Sequence, residues 1–173
     1  MPNDLQKNIQ NYQDFFEEIT GILSKKPWFK KEKWIAQSHL FEMNGKKEAV
    51  SYHLFKKSWF NDDRQGIHFE TARDLRSGKD KELIMTLHLL HMKTIPGTKL
   101  KREAISKPFI DRNEKTLKSW KGYKFRSGKY GTQYFSKAFK TSEKELHRLA
   151  AEEFEKLCTV LGPEIDKVLK EVL

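Results

Sequence analysis

The chain has 173 residues, which fits one folded domain, and a single cysteine, which excludes an internal disulfide and a cysteine-based zinc site. The formal net charge is +10, and residues 96–141 account for it with thirteen Lys and Arg against three acidic residues. No apolar run approaches the roughly 20 residues that a membrane span needs, and the polar N-terminus does not resemble a signal peptide. We therefore expect one domain over residues 1–173 in a reducing, cytoplasmic setting without membrane contact.

The N-terminal segment predicts an amphipathic helix over residues 3–24. Apolar residues recur there at alternating gaps of four and three, at Leu5, Ile9, Tyr12, Phe16, Ile19 and Leu23. The stripe ends at Pro27 and is too short for a coiled coil. We therefore expect this helix to cover one face of a sheet.

A β-hairpin is predicted over residues 34–43 and 46–56, because Asn44-Gly45 between two apolar runs favours a type I′ turn. The two-residue loop places Met43 opposite Lys46, and we expect the same register to continue along the whole hairpin without a bulge. The predicted core face holds Ile35, His39, Phe41, Met43, Val50, Tyr52 and Leu54. The predicted opposite face holds Trp34, Ala36, Ser38, Leu40, Ala49, Ser51, His53 and Phe55.

Two more strands are predicted after the hairpin, over residues 66–71 and 82–93. Apolar and polar residues alternate in the first, and Leu83, Met85, Leu87 and Leu89 alternate with polar or smaller residues in the second. A helix over residues 82–93 is the alternative, since short apolar runs fit either structure. A strand is favoured because it extends the antiparallel meander.

The C-terminal third predicts strands over residues 123–126 and 133–140, preceded by a short helix from Phe109 to Trp120. A second amphipathic helix is predicted over residues 142–161, opened by a capping box between Ser142 and Glu145. We expect Gly162 to end that helix and Pro163 to start another turn or two. Cys158 falls among its apolar positions, so we expect a buried and unreactive thiol.

These elements together predict an α+β fold. We expect a mainly antiparallel sheet of four to six strands, arranged as a meander. The helices 3–24 and 142–161 are expected to pack on its core face.

Basic and aromatic residues interleave over residues 99–140. Cations on one face could follow a phosphate backbone, and exposed rings could stack on unpaired bases. The candidate nucleic-acid-binding residues are Lys99, Lys101, Arg102, Lys121, Lys124, Arg126, Lys129, Tyr130 and Lys137. The alternative interpretation is that the rings belong to the core and the lysines form an ordinary solvated surface.

A second group combines histidines with one carboxylate. The predicted strand parity places His53, His68, Glu70 and His88 together on the face opposite the core. Imidazoles beside a carboxylate can bind a divalent metal ion or transfer protons. His68 and Glu70 are therefore the candidate catalytic residues, and His53, His68 and His88 are the candidate metal ligands. The same parity places His39 and His91 on the core side, His39 as a structural residue and His91 near a strand end.

Three functions follow from these patterns. The favoured one is a non-enzymatic protein that binds nucleic acid or another polyanion through residues 99–140. An enzyme or metal-binding protein that uses the histidine face is the first alternative. The second is an interaction or inhibitor module for an acidic protein partner. No phosphate loop, dinucleotide fingerprint or zinc-finger spacing occurs, so the sequence specifies no cofactor.

Overall fold

The computed structural model describes residues 2–76, 78–125 and 133–173. Its helices are α1 (Pro2–Leu23), α2 (Pro27–Lys31), α3 (Glu103–Lys118) and α4 (Leu146–Val172), with a short 3-10 turn at Lys57–Trp59. Its strands are β1 (Trp34–Met43), β2 (Lys46–Lys56), β3 (Ile67–Asp74), β4 (Glu82–Leu89), β5 (Tyr123–Phe125) and β6 (Gln133–Lys140). The α+β prediction, with helices at both ends of the chain, is confirmed.

The strands form one antiparallel sheet in the order β1-β2-β3-β4-β6-β5. The first four are a meander, after which β6 pairs with β4 and leaves β5 at the outer edge. The helices α1 and α4 pack on each other and on one face of this sheet. Tyr52 of β2 lies at their junction, with ring centroids 5.0 Å from Phe16 of α1 and 5.5 Å from Phe154 of α4. Full burial of a residue such as Phe16 contributes about 1.5–3 kcal/mol, so this packing holds both helices to the sheet.

The other side of the sheet is not covered by α1 and α4, and we call it the open face. Side chains alternate along each strand, so the pairing of the strands identifies its members. The open face carries Ser51, His53, His68, Glu70, Ala72, Ile84, Thr86, His88, Lys124, Ser136, Ala138 and Lys140.

The predicted hairpin register is correct for the first two pairs and wrong beyond them. Met43 lies opposite Lys46 as expected, but Phe41 pairs with Ala49, because Glu48 is an extra residue in a β-bulge. One extra residue reverses which face each side chain of β1 meets. The predicted assignment of β2 side chains to the core face and the opposite face is correct, whereas the assignment predicted for β1 is reversed.

The bulge moves Trp34 into the core. Its side chain is 5% exposed, and its ring centroid lies 5.1 Å from Trp59 and 6.0 Å from Phe69. Of the β1 residues that were predicted to be core, Ile35 is 38% exposed and Phe41 is 45% exposed. Burial of Trp34 removes far more apolar area from water than burial of Ile35 would, and this is why β1 turns Trp34 toward the core.

Residues 82–89 form a strand with fully buried core residues, so the strand predicted over residues 82–93 is confirmed there, but it ends at Leu89 and the prediction is wrong for residues 90–93. The helix predicted from Phe109 begins earlier, at Glu103, and contains Pro108. Proline removes one hydrogen bond from a helix. The helix continues because Ile105 and Phe109, on either side of the proline, are both fully buried.

The predicted bounds of the last helix are wrong at both ends. Glu145 has a left-handed φ of 57° and makes no side-chain cap, so no capping box forms and α4 begins at Leu146. The helix then continues through Gly162 and Pro163 to Val172. Ile165 and the apolar residues after it are buried in the core, and their packing outweighs the lost hydrogen bond.

Cys158 is buried as predicted, and burial raises the pKa of its thiol well above the ordinary value, which disfavours the reactive thiolate. None of the helices in the described part of the chain combines the length and the apolar run that crossing a membrane would require.

Candidate metal centre

Three adjacent strands bring the predicted metal-ligand histidines around Glu70. His53 of β2 lies directly opposite Glu70 of β3. His68, two residues before Glu70, lies opposite His88 of β4. Neighbouring strands are about 4.8 Å apart, so side chains on one face of three strands can converge on one point. The prediction that these four residues share the face opposite the core is confirmed.

The Nε2 atoms of all three histidines face the Glu70 carboxylate. The distance to Oε1 is 3.7 Å from His53, and the distances to Oε2 are 3.6 Å from His68 and 2.9 Å from His88. The His53 and His68 rings stack with centroids 3.8 Å apart, and those of His68 and His88 are 4.9 Å apart. The three imidazoles therefore form a continuous stack with one carboxylate along its edge.

Each Nδ1 atom contacts a different group behind the ring. His68 Nδ1 lies 3.2 Å from the carbonyl oxygen of Gly66, His88 Nδ1 lies 2.6 Å from His91 Nε2, and His53 Nδ1 lies 3.5 Å from the Asn61 amide nitrogen. In metal sites, such an outer partner on the second ring nitrogen fixes the tautomer and orientation of a ligating histidine.

The Gly66 carbonyl decides the tautomer of His68. A carbonyl oxygen can only accept a hydrogen bond, so Nδ1 carries the proton and Nε2 of the neutral ring carries a lone pair. His68 Nε2 is buried and has no hydrogen-bond partner among the described residues, and the 3.6 Å to Glu70 is too long for one. An unpaired acceptor therefore faces a carboxylate inside the protein.

The charge states of these residues follow from their surroundings. Burial lowers the pKa of His68 to about 3, and the negative charge of the nearby Glu70 opposes this without reversing it. Burial alone would raise the pKa of Glu70, but contacts from His53 and His88 outweigh it and lower that pKa. At neutral pH the site thus holds an ionised carboxylate beside a neutral imidazole.

The two histidines predicted to be on the core side both lie beside this group, so those two predictions are wrong. The β-bulge turns His39 toward the open face, where its ring centroid lies 4.5 Å from that of His53. β4 ends at Leu89, and the chain then turns so that His91 meets His88. Burial lowers the pKa of His39 to about 4 and also lowers the pKa of His91.

Two sets of three residues in the described chain place ligand atoms within 4.8 Å of one another. One is His53, His68 and Glu70, and the other is His68, His88 and His91. His68 belongs to both sets, which makes it the centre of the arrangement.

The histidines line a cleft of about 710 Å³, which we call the inner cleft. Arg64 and Gln133 also line it. A second cleft of about 930 Å³, the outer cleft, continues along the sheet toward β4 and β6. The two share Phe41, Ser51 and Glu70, so the carboxylate is reachable from both.

Those candidate nucleic-acid-binding residues that the structure describes do not lie on one surface. Lys137 faces α4 and contacts the Glu153 carboxylate, whereas Lys124 lies on the open face. The side chains of Lys99, Lys101 and Lys121 are exposed, and that of Arg102 is half-buried. The predicted Arg126, Lys129 and Tyr130 lie outside the described residues.

Sequence reasoning missed the supporting residues Asn61, Gly66, His91 and Gln133. Gln133 Nε2 lies 2.6 Å from His88 Nε2, and Asn61 Oδ1 accepts a hydrogen bond from the Gly66 N–H at 3.1 Å. The available signal was the run Asn61-Asp62-Asp63 with Gly66, which marks a turn but does not show that the turn folds over the histidines.

Comparisons of the chain with protein-family models, with curated proteins and with solved structures find no match in any of the three. Function is therefore inferred from the chemistry of the open face.

Proposed function

We propose that this protein binds a divalent transition-metal ion through three ligands, His68 Nε2, His53 Nε2 and the Glu70 carboxylate, with His88 beside them. The observation that carries the proposal is the buried lone pair of His68, which has no hydrogen-bond partner in the described part of the chain and faces an ionised carboxylate. Two electron-rich groups in this position repel each other unless a cation lies between them.

A proton is a poor candidate for that cation at neutral pH. Burial lowers the pKa of His68 to about 3, so the ring stays neutral well below physiological pH. A metal ion needs a neutral imidazole and an ionised carboxylate, which are the charge states of these two groups. The separations of 3.6 and 3.7 Å between ligand atoms suit bonds of about 2.0–2.2 Å to a shared ion.

The ligand types favour late first-row metals over magnesium or calcium. Imidazole suits zinc, copper, nickel and iron, whereas magnesium and calcium prefer sites built from oxygen. The inner cleft opens onto the ligands, and catalytic zinc sites keep such an open position whereas structural ones are closed. We therefore propose a metal-dependent catalytic role in place of a structural one.

The experiment is a calorimetric titration of the chelator-treated chain with ZnCl₂, NiCl₂ and MgCl₂. We expect saturable binding of zinc and nickel and none of magnesium. His68→Ala is expected to weaken zinc binding by at least about 100-fold, because even an outer partner of a ligand is worth 10–100-fold. His147→Ala is the matched control, since that sixth histidine lies on α4, 3.6 Å from Glu18 and away from the open face.

Equal zinc affinity of His68→Ala and His147→Ala would show that the open-face group is a structural hydrogen-bond network. An open coordination position is tested by adding azide to the cobalt-loaded protein. A change in its visible spectrum supports that position, and an unchanged spectrum contradicts it.

Binding of a polyanion is the second candidate, and one observation favours it. Lys124 pairs with Ser136 in the cross-strand row that continues through Thr86 to Glu70, so an exposed cation shares the face of the candidate metal centre. We propose testing it by titrating fluorescent single-stranded DNA, duplex DNA and RNA at about 50 and 200 mM salt, where phosphate contacts weaken steeply. Lys124→Glu should reduce binding, and Lys7→Glu on α1 is the control. If neither DNA nor RNA binds at low salt, nucleic-acid binding is contradicted and an acidic protein is the remaining candidate partner for the exposed lysines.

A further inference from the structure

The outer cleft contains a band without charged side chains between two rows of polar or charged residues. One bordering row contains Glu70 and Thr86, which pair across β3 and β4. The other contains Glu82 and Lys140, which pair across β4 and β6. The band between them consists of Ser51, Ala72 and Ile84, which line the cleft, and of Ala138, which pairs with Ile84.

The band exposes apolar surface that no described residue covers. Ile84 is 47% exposed, and Phe41, which lines the same cleft from β1, is 45% exposed. Ligand sites combine a concave, largely apolar wall with a few polar groups that fix orientation. The outer cleft has this composition, with small side chains that leave room above the sheet.

The far end of the cleft has an excess of uncommitted positive charge. Three of its carboxylates are engaged by arginines: Asp80 contacts Arg73 at 2.5 Å, and Arg76 contacts Asp74 at 2.5 Å and Glu48 at 3.6 Å. Lys79, Lys81 and Lys140 also line this end, and among the described residues none of the three lies within salt-bridge distance of a carboxylate. Glu82 is the one lining carboxylate at this end that is likewise without such a partner in the described chain.

The spacing of the rows gives the length of a ligand that fits. Glu70 and Asp74 are four residues apart on β3, which corresponds to about 13 Å along a strand. A molecule of that length could place an anionic group at the lysines, an apolar body over Ile84, and its other end beside Glu70.

We propose that the outer cleft binds a small organic anion of this kind, a medium-chain monocarboxylate free in solution. The carboxylate lies at Lys79, Lys81 and Lys140, and the chain lies along Phe41 and Ile84. Binding itself needs no metal ion, whereas the contact of the far end with the metal centre rests on the proposed function.

The test uses dansyl-undecanoic acid as a fluorescent probe on the full chain, with and without chelator. We expect saturable binding in both conditions and displacement by decanoate. Decyltrimethylammonium has the same chain length and the opposite charge, so it should not displace the probe. Equal displacement by both competitors would overturn the anionic assignment.

Matched variants locate the site. Ile84→Glu places a carboxylate in the uncharged band and should weaken probe binding at least tenfold, and the Lys81→Glu/Lys140→Glu double variant should do the same. Ile35→Glu is the control, because Ile35 is 38% exposed on β1 and lines neither cleft. The inference is overturned if wild type shows no saturable binding, or if Ile84→Glu and Ile35→Glu bind the probe equally.

The two proposals can fail separately. Ile84→Glu should keep the zinc affinity of wild type, and His68→Ala should keep its affinity for the probe in chelator. Probe binding without zinc binding would refute the metal centre alone, and zinc binding without probe binding would refute the ligand alone.

Discussion

The group behind each imidazole determines what that ring presents to Glu70. The Gly66 carbonyl forces the His68 proton onto Nδ1 and leaves a lone pair on Nε2. Asn61 acts in the opposite sense: its Oδ1 already accepts the Gly66 N–H, so its Nδ2 faces His53 Nδ1 and donates. His53 then carries its proton on Nε2, toward Glu70. Neighbouring residues of one stack therefore differ in their readiness to bind a metal ion.

This difference predicts an order among the ligand variants. His53→Ala should weaken zinc binding less than His68→Ala, because His53 must first move its proton from Nε2. Glu70→Gln should weaken binding about as strongly as His68→Ala, since it removes the anionic ligand. Zinc titrations of the three variants under one buffer condition check the order. A larger effect for His53→Ala would contradict the tautomers assigned here.

Gly66 is a second residue whose replacement has a clear consequence. A Cβ atom at this position would lie 2.2 Å from the carbonyl oxygen of Phe60 and 2.5 Å from the backbone nitrogen of Asn61. Backbone atoms cannot rotate away as a side chain does, so Gly66→Ala should destabilise the fold by about 1–3 kcal/mol. It should also weaken zinc binding by displacing the carbonyl that orients His68. Urea unfolding and zinc titration of the same variant measure both effects, and wild-type values in either would contradict this account.

The helix α4 and the strand β1 approach each other closely at Gly162 and Trp34. A Cβ atom on Gly162 of α4 would lie 2.8 Å from the Trp34 ring, so only glycine lets the helix pass the tryptophan at this distance. The β-bulge at Glu48 turns Trp34 to that side of the sheet. The glycine that resembles a helix end is therefore a packing residue inside a continuous helix.

Gly162→Ala and Gly21→Ala should have effects of opposite sign. Alanine favours a helix over glycine by about 1 kcal/mol, and a Cβ at Gly21 of α1 would meet nothing within 4 Å. Gly21→Ala should therefore stabilise the protein by about 0.5–1 kcal/mol. At Gly162 the clash with Trp34 should outweigh that gain and give a net loss of about 1–2 kcal/mol. Urea unfolding compares the two variants, and a stabilising Gly162→Ala would show that the tryptophan moves easily.

At the scale of the whole molecule, the sheet has one face covered by helices and one open face, on which the histidine group is nevertheless buried. The helices α1 and α4 cover the first face. Over the second, His53 and His88 are only 4% and 5% exposed and His68 is not exposed at all. Burial of His39 and His68 makes stability depend on pH, because it lowers their pKa and disfavours their protonation in the folded state but not in the unfolded state.

The metal-free protein should therefore lose stability in mild acid. The pKa of His68 is about 3 and that of His39 about 4 in the folded state, against an ordinary value of 6.5. Between those values the unfolded chain binds more protons, so stability is complete above about pH 6.5 and falls as the pH is lowered, by up to about 1.4 kcal/mol per pH unit for each group. The lowered pKa of Glu70 acts in the same direction at still lower pH.

Urea unfolding in chelator at pH 7.5, 6 and 5 measures this dependence. His39→Gln should flatten the pH dependence, and His147→Gln should leave it unchanged. An unfolding midpoint that is the same at pH 7.5 and pH 5 would contradict the assignment of neutral buried histidines.

The sequence by itself determined the elements that depend on local patterns. The helical stripe of residues 3–24, the turn at Asn44-Gly45 and the alternation in residues 82–89 each follow from the spacing of apolar residues, and the structure contains all three. The alternation in β2, β3 and β4 also placed His53, His68, Glu70 and His88 on one face, because facing within a strand has a period of two.

Only the tertiary structure decided what depends on contacts between distant residues. The bulge at Glu48 follows from the burial of Trp34 against Trp59 and Phe69, which the turn residues do not encode. That bulge brought His39 to the site, and the path of the chain after β4 brought His91 there. The orientation of His68 depends on a backbone carbonyl of the turn that precedes β3. Local spacing fixes which face a side chain meets, but the groups it touches there are set by packing across the whole domain.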